Sequence, residues 1–244
     1  MRARVCQIAL PFDPAPRFDA DDFIEAPSNA EARIWLGRVA DWPQSRLALW
    51  GPAGCGKTHL LHGWAATQGA DIMRGPDLAA DLVPDLPGAP LAIDEADRAP
   101  ERTLLHLLNT AVEAGRPVLL AATAPPARWD IALPDLASRL RATTAVEIGA
   151  AEDQLLRLLL RRLLVERQLA VPEAVQDYLL HRLPRTPATL RTAAARLDRA
   201  AFAAGAGVTR GLAAAALADL LAPEDDDTSM TDAPDLSPPD RRVV

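Results

Sequence analysis

The sequence predicts an α/β fold in which a parallel-sheet domain is followed by a small all-helical domain. Short apolar runs, such as Leu47–Trp50 and Leu91–Ile93, alternate with helical patterns through the first 149 residues. That alternation is typical of strands buried on both faces of a parallel sheet. From Ala150 the composition shifts to leucine, arginine and alanine, with few strand formers. Four helices are expected there, over residues 155–169, 172–183, 187–204 and 209–221.

A phosphate-binding motif separates the first apolar run from a long helical pattern. The segment Gly51-Pro52-Ala53-Gly54-Cys55-Gly56-Lys57-Thr58 has the spacing G-x-x-x-x-G-K-[ST]. Its glycines let backbone N–H groups converge on an anion, and the dipole of the following helix points its positive end at the same place. The alternative is a simple turn that opens an ordinary helix, but the strand-loop-helix context favours phosphate binding. The implied ligand is a nucleoside di- or triphosphate, with candidate contacts at Gly51, Gly54, Cys55, Gly56, Lys57, Thr58 and His59.

Two carboxylates follow the apolar run at Leu91–Ile93. The carboxyl ends of parallel strands open towards the ligand crevice, so Asp94 and Glu95 are expected beside the phosphates. Asp94 and the Thr58 hydroxyl would then organise Mg²⁺, and Glu95 would polarise an attacking water. Acidic residues at strand ends are common, so this pair is informative mainly because the phosphate loop accompanies it.

Composition excludes several classes of protein. No apolar run approaches the roughly 20 residues that cross a bilayer, and Met1–Phe12 is too short and interrupted for a signal peptide. A cytoplasmic protein is therefore expected. Cys6 and Cys55 support neither a disulfide framework nor a zinc site. His59 and His62 lack a third ligand, so we interpret them as helix residues beside the core.

The net charge of −7 argues against a protein whose main role is to grip the DNA backbone. Seven acidic residues and two arginines fall between Glu224 and Val244, together with three prolines. We expect this tail to be disordered and solvated.

The N-terminal segment carries a second short pattern, Gln7-Ile8-Ala9-Leu10-Pro11-Phe12, ahead of a proline-rich spacer. It resembles the peptide by which many bacterial replication proteins dock on the DNA polymerase sliding clamp. By that resemblance, Gln7 enters a polar pocket while Leu10 and Phe12 enter an apolar one. The alternative is that Leu10 and Phe12 pack against the protein's own core. The position ahead of a flexible spacer favours docking.

The segment upstream of the phosphate loop, from Phe18 to Asn29, reads F-x-x-x-x-F-I-x-x-P-S-N. It resembles the segment that lines the adenine site in DnaA-type AAA+ ATPases, which implies that Phe23 and Ile24 contact the base. A helix is expected to follow over Ala30–Val39, with Ile34, Trp35 and Val39 on one face. The alternative interpretation, a helix that simply packs on the sheet, would use the same apolar residues.

The AAA+ resemblance extends to three further positions. Thr123 ends the expected strand over 117–123 and matches a "sensor 1" residue near the γ-phosphate. The segment Leu133–Leu140 resembles one that carries an arginine finger, which makes Arg139 the finger, acting in trans on a neighbour's nucleotide, with Arg141 as the competing candidate. Ala188 stands where the family's helical lid carries a "sensor 2" arginine. Whether Arg185 or Arg191 replaces that arginine is left open.

Taken over residues 7 to about 222, the chain resembles the Hda group, DnaA-related AAA+ regulators of replication initiation. The resemblance implies a clamp-binding peptide over 1–17, an AAA+ nucleotide-binding domain over 18–149, a helical lid over 150–222 and an acidic tail over 223–244. It also implies binding of ADP or ATP with Mg²⁺, docking on the clamp, and presentation of Arg139 to DnaA-bound ATP. No helix-turn-helix domain follows the lid, so we expect no sequence-specific DNA binding.

Two other functions would share many of these residues. A helicase-loader ATPase would keep the phosphate loop, Asp94, Glu95 and Arg139 but would need a helicase-binding N-terminal region. A self-contained ATPase would use Glu95 as its catalyst. Head-to-tail self-association through Arg139 is also plausible, because AAA+ domains commonly pair in that way.

Overall fold

The computed structural model describes residues 24–79 and 88–221. Within these residues the centre of the fold is a five-stranded parallel sheet. Its strands are β1 (Arg46–Trp50), β2 (Asp71–Arg74), β3 (Leu91–Asp94), β4 (Val118–Ala122) and β5 (Thr144–Glu147). The strand order is β2-β3-β4-β1-β5, with every neighbouring pair parallel. The expected parallel sheet is therefore confirmed.

The strands at the middle of the sheet are the most apolar because helices cover both of their faces. Every residue of β4 is buried, as are the first four residues of β1. Alternate residues of β1 serve opposite faces, with Leu47 and Leu49 in one hydrophobic core and Ala48 in the other. This two-residue alternation is the normal geometry of a strand.

The sequence did not predict β5. It has four residues, of which only Val146 is buried, so it lacks the continuous apolar run that marks the other strands. It forms because β1 offers a free ladder of backbone groups, with Leu47 aligned to Thr144 and Trp50 to Glu147. Short, half-polar strands at the side of a sheet carry little hydrophobic signal.

Four helices flank the sheet: α1 (Pro27–Leu36), α2 (Lys57–Gln68), α3 (Glu101–Glu113) and α4 (Pro134–Arg141). The expected helix over Ala30–Val39 was misplaced. It begins at Pro27, whose fixed φ suits a first turn, and it ends before Gly37. Val39 therefore lies outside it, in a 3₁₀ turn, and Ile34 is 55% exposed. Further 3₁₀ segments span Pro43–Ser45, Gly75–Asp77, Ala96–Arg98 and Pro126–Arg128.

The C-terminal part of the described chain is helical, as expected. Its helices are α5 (Asp153–Glu166), α6 (Glu173–Arg182), α7 (Pro187–Ala204) and α8 (Arg210–Ala216). They enclose a core of their own around Leu160, Leu179 and Leu197. Thr186 and Thr209 cap α7 and α8 by accepting hydrogen bonds from backbone N–H groups. The last helix is shorter than expected, since it stops at Ala216 rather than Leu221.

The topology brings several chain segments to one end of the sheet. Because all strands are parallel, the ends of β1, β3 and β4 lie at the same carboxyl end. The segments that leave those strands carry the phosphate loop, Glu95 and Thr123. Among the described helices, none is long and apolar enough to span a membrane.

Candidate nucleotide-binding site

The phosphate loop connects β1 to α2 at the carboxyl end of the sheet. Three of its glycines adopt positive φ: Gly51 at 156°, Gly54 at 79° and Gly56 at 109°. At Gly51 the requirement is also steric, because a Cβ atom would lie 2.3 Å from the carbonyl oxygen of Ile148. The loop therefore needs glycine for its backbone path, as the motif predicts.

Lys57, the first residue of α2, is buried and folds back over the loop. Its Nζ donates to the carbonyl oxygens of Gly51 at 2.8 Å and Pro52 at 2.9 Å. The Cys55 sulfur lies 3.7 Å from the same nitrogen. A thiol is a weak acceptor, so a phosphate oxygen would compete well for that third N–H. The ammonium is thus held in place to meet an anion in the loop.

Thr58 and Asp94, the pair expected to organise Mg²⁺, are hydrogen-bonded to each other. The Thr58 hydroxyl donates to Asp94 Oδ2 at 2.7 Å, and the Glu95 backbone N–H donates to Asp94 Oδ1 at 3.0 Å. Mg²⁺ is commonly bound by one or two protein oxygens together with substrate phosphates. The described residues contain no cluster of three carboxylate, histidine or cysteine side chains that could hold a metal ion. A hydroxyl and a carboxylate beside the loop fit an ion that arrives with a nucleotide.

Glu95 forms exposed ion pairs with two arginines. Its carboxylate accepts from Arg74 at 3.0 Å and from Arg98 at 3.2 Å. Its backbone is left-handed, with φ of 51°, which is uncommon for a residue other than glycine. Both arginines contact Oε2, so polarising a water would fall to Oε1 of the same carboxylate.

Thr123 reaches the same cleft from the end of β4. Its hydroxyl donates to Asp97 Oδ2 at 2.8 Å. Sequence reasoning missed Asp97 and Arg98, although both follow closely after Asp94 and Glu95. Together they line a cavity of about 170 Å³ with Lys57, Asp94, Glu95, Ala122 and Thr123.

The helical lid approaches the loop through the start of α7. A Cβ atom built on Gly54 would lie 3.6 Å from the Thr186 side chain and 4.0 Å from that of Ala188. The position expected to carry a sensor 2 arginine therefore faces the phosphate loop with only a methyl group. Arg185 is paired with Asp153, and Arg191 is exposed one turn further along α7.

Of the two residues expected to contact the base, Ile24 lies among the described residues. Ile24 is half-buried and packs against the lid core.

His59 is buried on α2, while burial holds the pKa of His62 below its ordinary value despite the opposing charge of Asp94. Phe23 and the peptide residues Gln7, Leu10 and Phe12 lie outside the described residues, as do Cys6 and the acidic tail.

Arg139 does not join this site. It lies near the end of α4, where its carbonyl oxygen accepts from the Thr143 hydroxyl at 2.9 Å, just before β5 begins. The start of β5 marks the amino end of the sheet, whereas the phosphate loop follows the carboxyl end of β1. Four residue steps of β1 separate the two ends by roughly 13 Å. Arg139 is therefore badly placed to reach a nucleotide held by its own chain.

The surroundings of Arg139 contain a second arginine, Arg46, at the first position of β1. Arg46 is fully buried, and its pKa is lowered by burial and by the charge of Arg139. Arg46 bonds to Gln44, while its Nε and Nη1 and the Nε of Arg139 have no hydrogen-bond partner. Neither arginine pairs with a carboxylate of the described residues. Arg141, the competing finger candidate, is exposed on the same helix.

Removing the Lys57 ammonium tests the loop as an anion site. We expect Lys57→Ala to weaken binding of ADP or ATP by about 10- to 100-fold, the value of a lost charge-assisted hydrogen bond. Arg161→Ala, which removes an exposed positive charge from α5, is the control and should bind as the wild type does. Isothermal titration calorimetry measures both, and equal affinity of Lys57→Ala and wild type would contradict the assignment.

Comparison with known proteins agrees with this geometry. The family described as "AAA domain" matches residues 47–186, and the family described as "Bacterial DnaA ATPase domain" matches residues 15–74. The chromosomal replication initiator protein DnaA of Nitrobacter hamburgensis is 28% identical over 86% of this chain. The chain spans 51% of the length of that relative.

Solved structures show the same fold. Domain III of the Thermotoga maritima initiator DnaA superposes with a TM-score of 0.73 at 20% identity, covering 86% of this chain and 99% of that one. AMPPCP-bound DnaA from Aquifex aeolicus gives a TM-score of 0.62 at 20% identity, covering 78% of this chain and 68% of that one. Since the AAA domain match spans more than half of the sequence, the chain belongs to the AAA domain family, and within it is related to DnaA.

Proposed function

We propose that this chain is an adenine-nucleotide-binding negative regulator of chromosomal replication initiation. It docks on the DNA polymerase sliding clamp and stimulates hydrolysis of DnaA-bound ATP through Arg139. The observation that carries the proposal is the position of Arg139, an arginine without a carboxylate partner among the described residues, far from its own phosphate loop. A guanidinium so placed suits the nucleotide of a neighbouring molecule.

Nucleotide binding by the chain itself is the first part of the proposal. The glycines, Lys57 and the Thr58–Asp94 pair fit the phosphates and Mg²⁺ of ADP or ATP. A DnaA structure with AMPPCP bound shares the fold, which supports an adenine nucleotide as the ligand. When bound, Mg²⁺ neutralises phosphate charge, while Lys57 and the loop N–H groups orient the anion.

Slow turnover at this site is the second part. Glu95 is engaged by Arg74 and Arg98, and Ala188 offers no positive charge to a γ-phosphate. Both features work against hydrolysis, which needs a water-polarising carboxylate and stabilisation of developing charge. The nucleotide would then act as a ligand that fixes the position of the lid. In that conformation the chain would present Arg139 to the ATP bound by DnaA.

Presentation of Arg139 in trans is the third part. The guanidinium is always charged and can form two hydrogen bonds to phosphate oxygens, which suits stabilisation of a phosphoryl-transfer transition state. Its Nε is buried without a partner, and the charge of Arg46 lies nearby. An arginine with no carboxylate to neutralise it retains its full attraction for an incoming phosphate.

A self-contained ATPase is the second candidate function. The observation in its favour is that Lys57, Asp94, Glu95 and Thr123 surround one cavity, the full set that turnover in this chain would need. Under that function Glu95 polarises a water through Oε1, and Arg139 serves a second copy of the same chain.

The finger is tested by replacing Arg139 with alanine. We expect Arg139→Ala to bind nucleotide and clamp normally but to lose stimulation of ATP hydrolysis by DnaA on clamp-loaded DNA, by about a thousandfold in rate. Arg141→Ala, on the same helix, is the matched control and should stimulate normally. Measuring labelled ATP and ADP on DnaA distinguishes them. Full stimulation by Arg139→Ala would refute the assignment, and loss only in Arg141→Ala would transfer the role to Arg141.

Clamp docking is tested at the N-terminus. Replacement of Gln7, Leu10 and Phe12 by alanine removes the polar contact and both apolar anchors, so affinity for the sliding clamp should fall about 30-fold or more. Ile8→Ala, at a position between Gln7 and Leu10, should leave the affinity near that of the wild type. Surface plasmon resonance with immobilised clamp measures both. Undiminished binding by the triple variant would exclude docking through this peptide.

A further inference from the structure

A carboxylate from the start of the lid is hydrogen-bonded to the first turn of α1. Glu152, immediately before α5, accepts from the Ser28 backbone N–H at 2.6 Å and from the Ser28 hydroxyl at 2.9 Å. The residues are 124 positions apart in sequence. Close by, the Gly149 N–H donates to the Ser28 carbonyl oxygen at 3.0 Å. Ser28 is thus held through its N–H, hydroxyl and carbonyl groups by the segment that joins β5 to the lid.

The bond to the Ser28 N–H has a specific physical role. The first N–H groups of a helix have no acceptor within the helix, and an anion there also interacts favourably with the helix dipole. Glu152 supplies that anion to α1 from the lid side. Burial acts to raise the pKa of Glu152, but hydrogen bonds from its own backbone and from Ser28 outweigh this and leave the pKa lowered. The charged form of Glu152 is therefore the one that these contacts favour.

The same turn of α1 contacts Ile24, the expected base-binding residue, through Asn29. Asn29, beside Ser28, donates from Nδ2 to the Ile24 carbonyl oxygen at 3.0 Å, and its Oδ1 accepts from the Ala26 N–H at 3.2 Å. The Ile24 side chain packs against the lid core. Glu152 is therefore hydrogen-bonded to Ser28, and Asn29, the next residue, is hydrogen-bonded to the carbonyl oxygen of Ile24. Loss of the Glu152–Ser28 contact would free the turn of α1 that carries Asn29.

We propose that Ser28 and Glu152 are positioning residues for the base-binding half of the nucleotide site. They fix the segment that carries Ile24 between α1 and the lid, and so set the affinity for the nucleoside part of the ligand. The phosphate loop belongs to a different connection, between β1 and α2. It meets this segment where Gly51 lies against the carbonyl oxygen of Ile148, but neither Ser28 nor Glu152 hydrogen-bonds to the described residues of the loop. The inference rests on the proposed nucleotide site and adds residues that do not touch the phosphates.

Two ligands separate this role from a general structural one. ADP uses both halves of the site, whereas inorganic pyrophosphate uses the phosphate loop alone. We expect Ser28→Ala and Glu152→Gln to raise the Kd for ADP by about 10-fold, with the Kd for pyrophosphate unchanged. Glu173→Gln, which alters an exposed glutamate in the first turn of α6, is the matched control and should leave both values unchanged.

A double variant tests the pair directly. Because the two side chains act through one contact, Ser28→Ala/Glu152→Gln should weaken ADP binding less than the product of the two single effects. Isothermal titration calorimetry supplies all the Kd values, and circular dichroism checks that each variant is folded.

Three results would overturn the inference. Unchanged ADP binding in both single variants, or an equal loss of ADP and pyrophosphate binding, would contradict a base-side positioning role while leaving the nucleotide site intact. Failure of the wild-type chain to bind either ligand would refute the proposed nucleotide site, and the inference with it.

Discussion

The pairing of β1 with β4 on one side and with β5 on the other is the constraint on which both candidate sites depend. At its carboxyl end, β1 delivers the phosphate loop between Asp94 and the lid, and Gly51 passes too close to Ile148 for any side chain. At its amino end, β1 begins with the buried Arg46, next to the segment that holds Arg139. The two ends of β1 therefore carry two different features. One end leads into a site that would bind this chain's own nucleotide, and the other lies next to Arg139, which could act on a nucleotide bound by another molecule.

Burial of Arg46 without a carboxylate is costly in the folded state, since an unpaired charge loses its hydration. Arg139 shares this environment, because the Nε atoms of both arginines lack partners. Their like charges repel, and the described part of the chain offers them no anion. An anion brought to Arg139 by another molecule would offset the repulsion between the two charges, which is consistent with a finger that acts in trans, whereas the fully buried Arg46 would stay unpaired.

Much of the nucleotide site could be predicted because its signals are local. Phosphate-loop spacing, an acidic pair after an apolar run and a threonine after the next strand each depend on a few adjacent residues. Contacts between distant segments could not be predicted: the Glu95–Arg74 pair, the Asp97–Thr123 bond and the Ser28–Glu152 contact all depend on tertiary packing. The β5 strand escaped detection because only one of its four residues is buried, and α1 was shifted because Pro27 begins the helix earlier than the apolar pattern does.

The central claim is that the hydrolysis served by this chain occurs on DnaA rather than in its own phosphate loop. The most direct measurement compares wild type with Glu95→Gln as activators of labelled-ATP hydrolysis by DnaA on clamp-loaded DNA. Glutamine keeps the size of the side chain and removes the charge needed to polarise water. The account predicts equal stimulation by the two proteins. Loss of stimulation by a Glu95→Gln protein that still binds nucleotide would contradict it and favour turnover in this chain as the function.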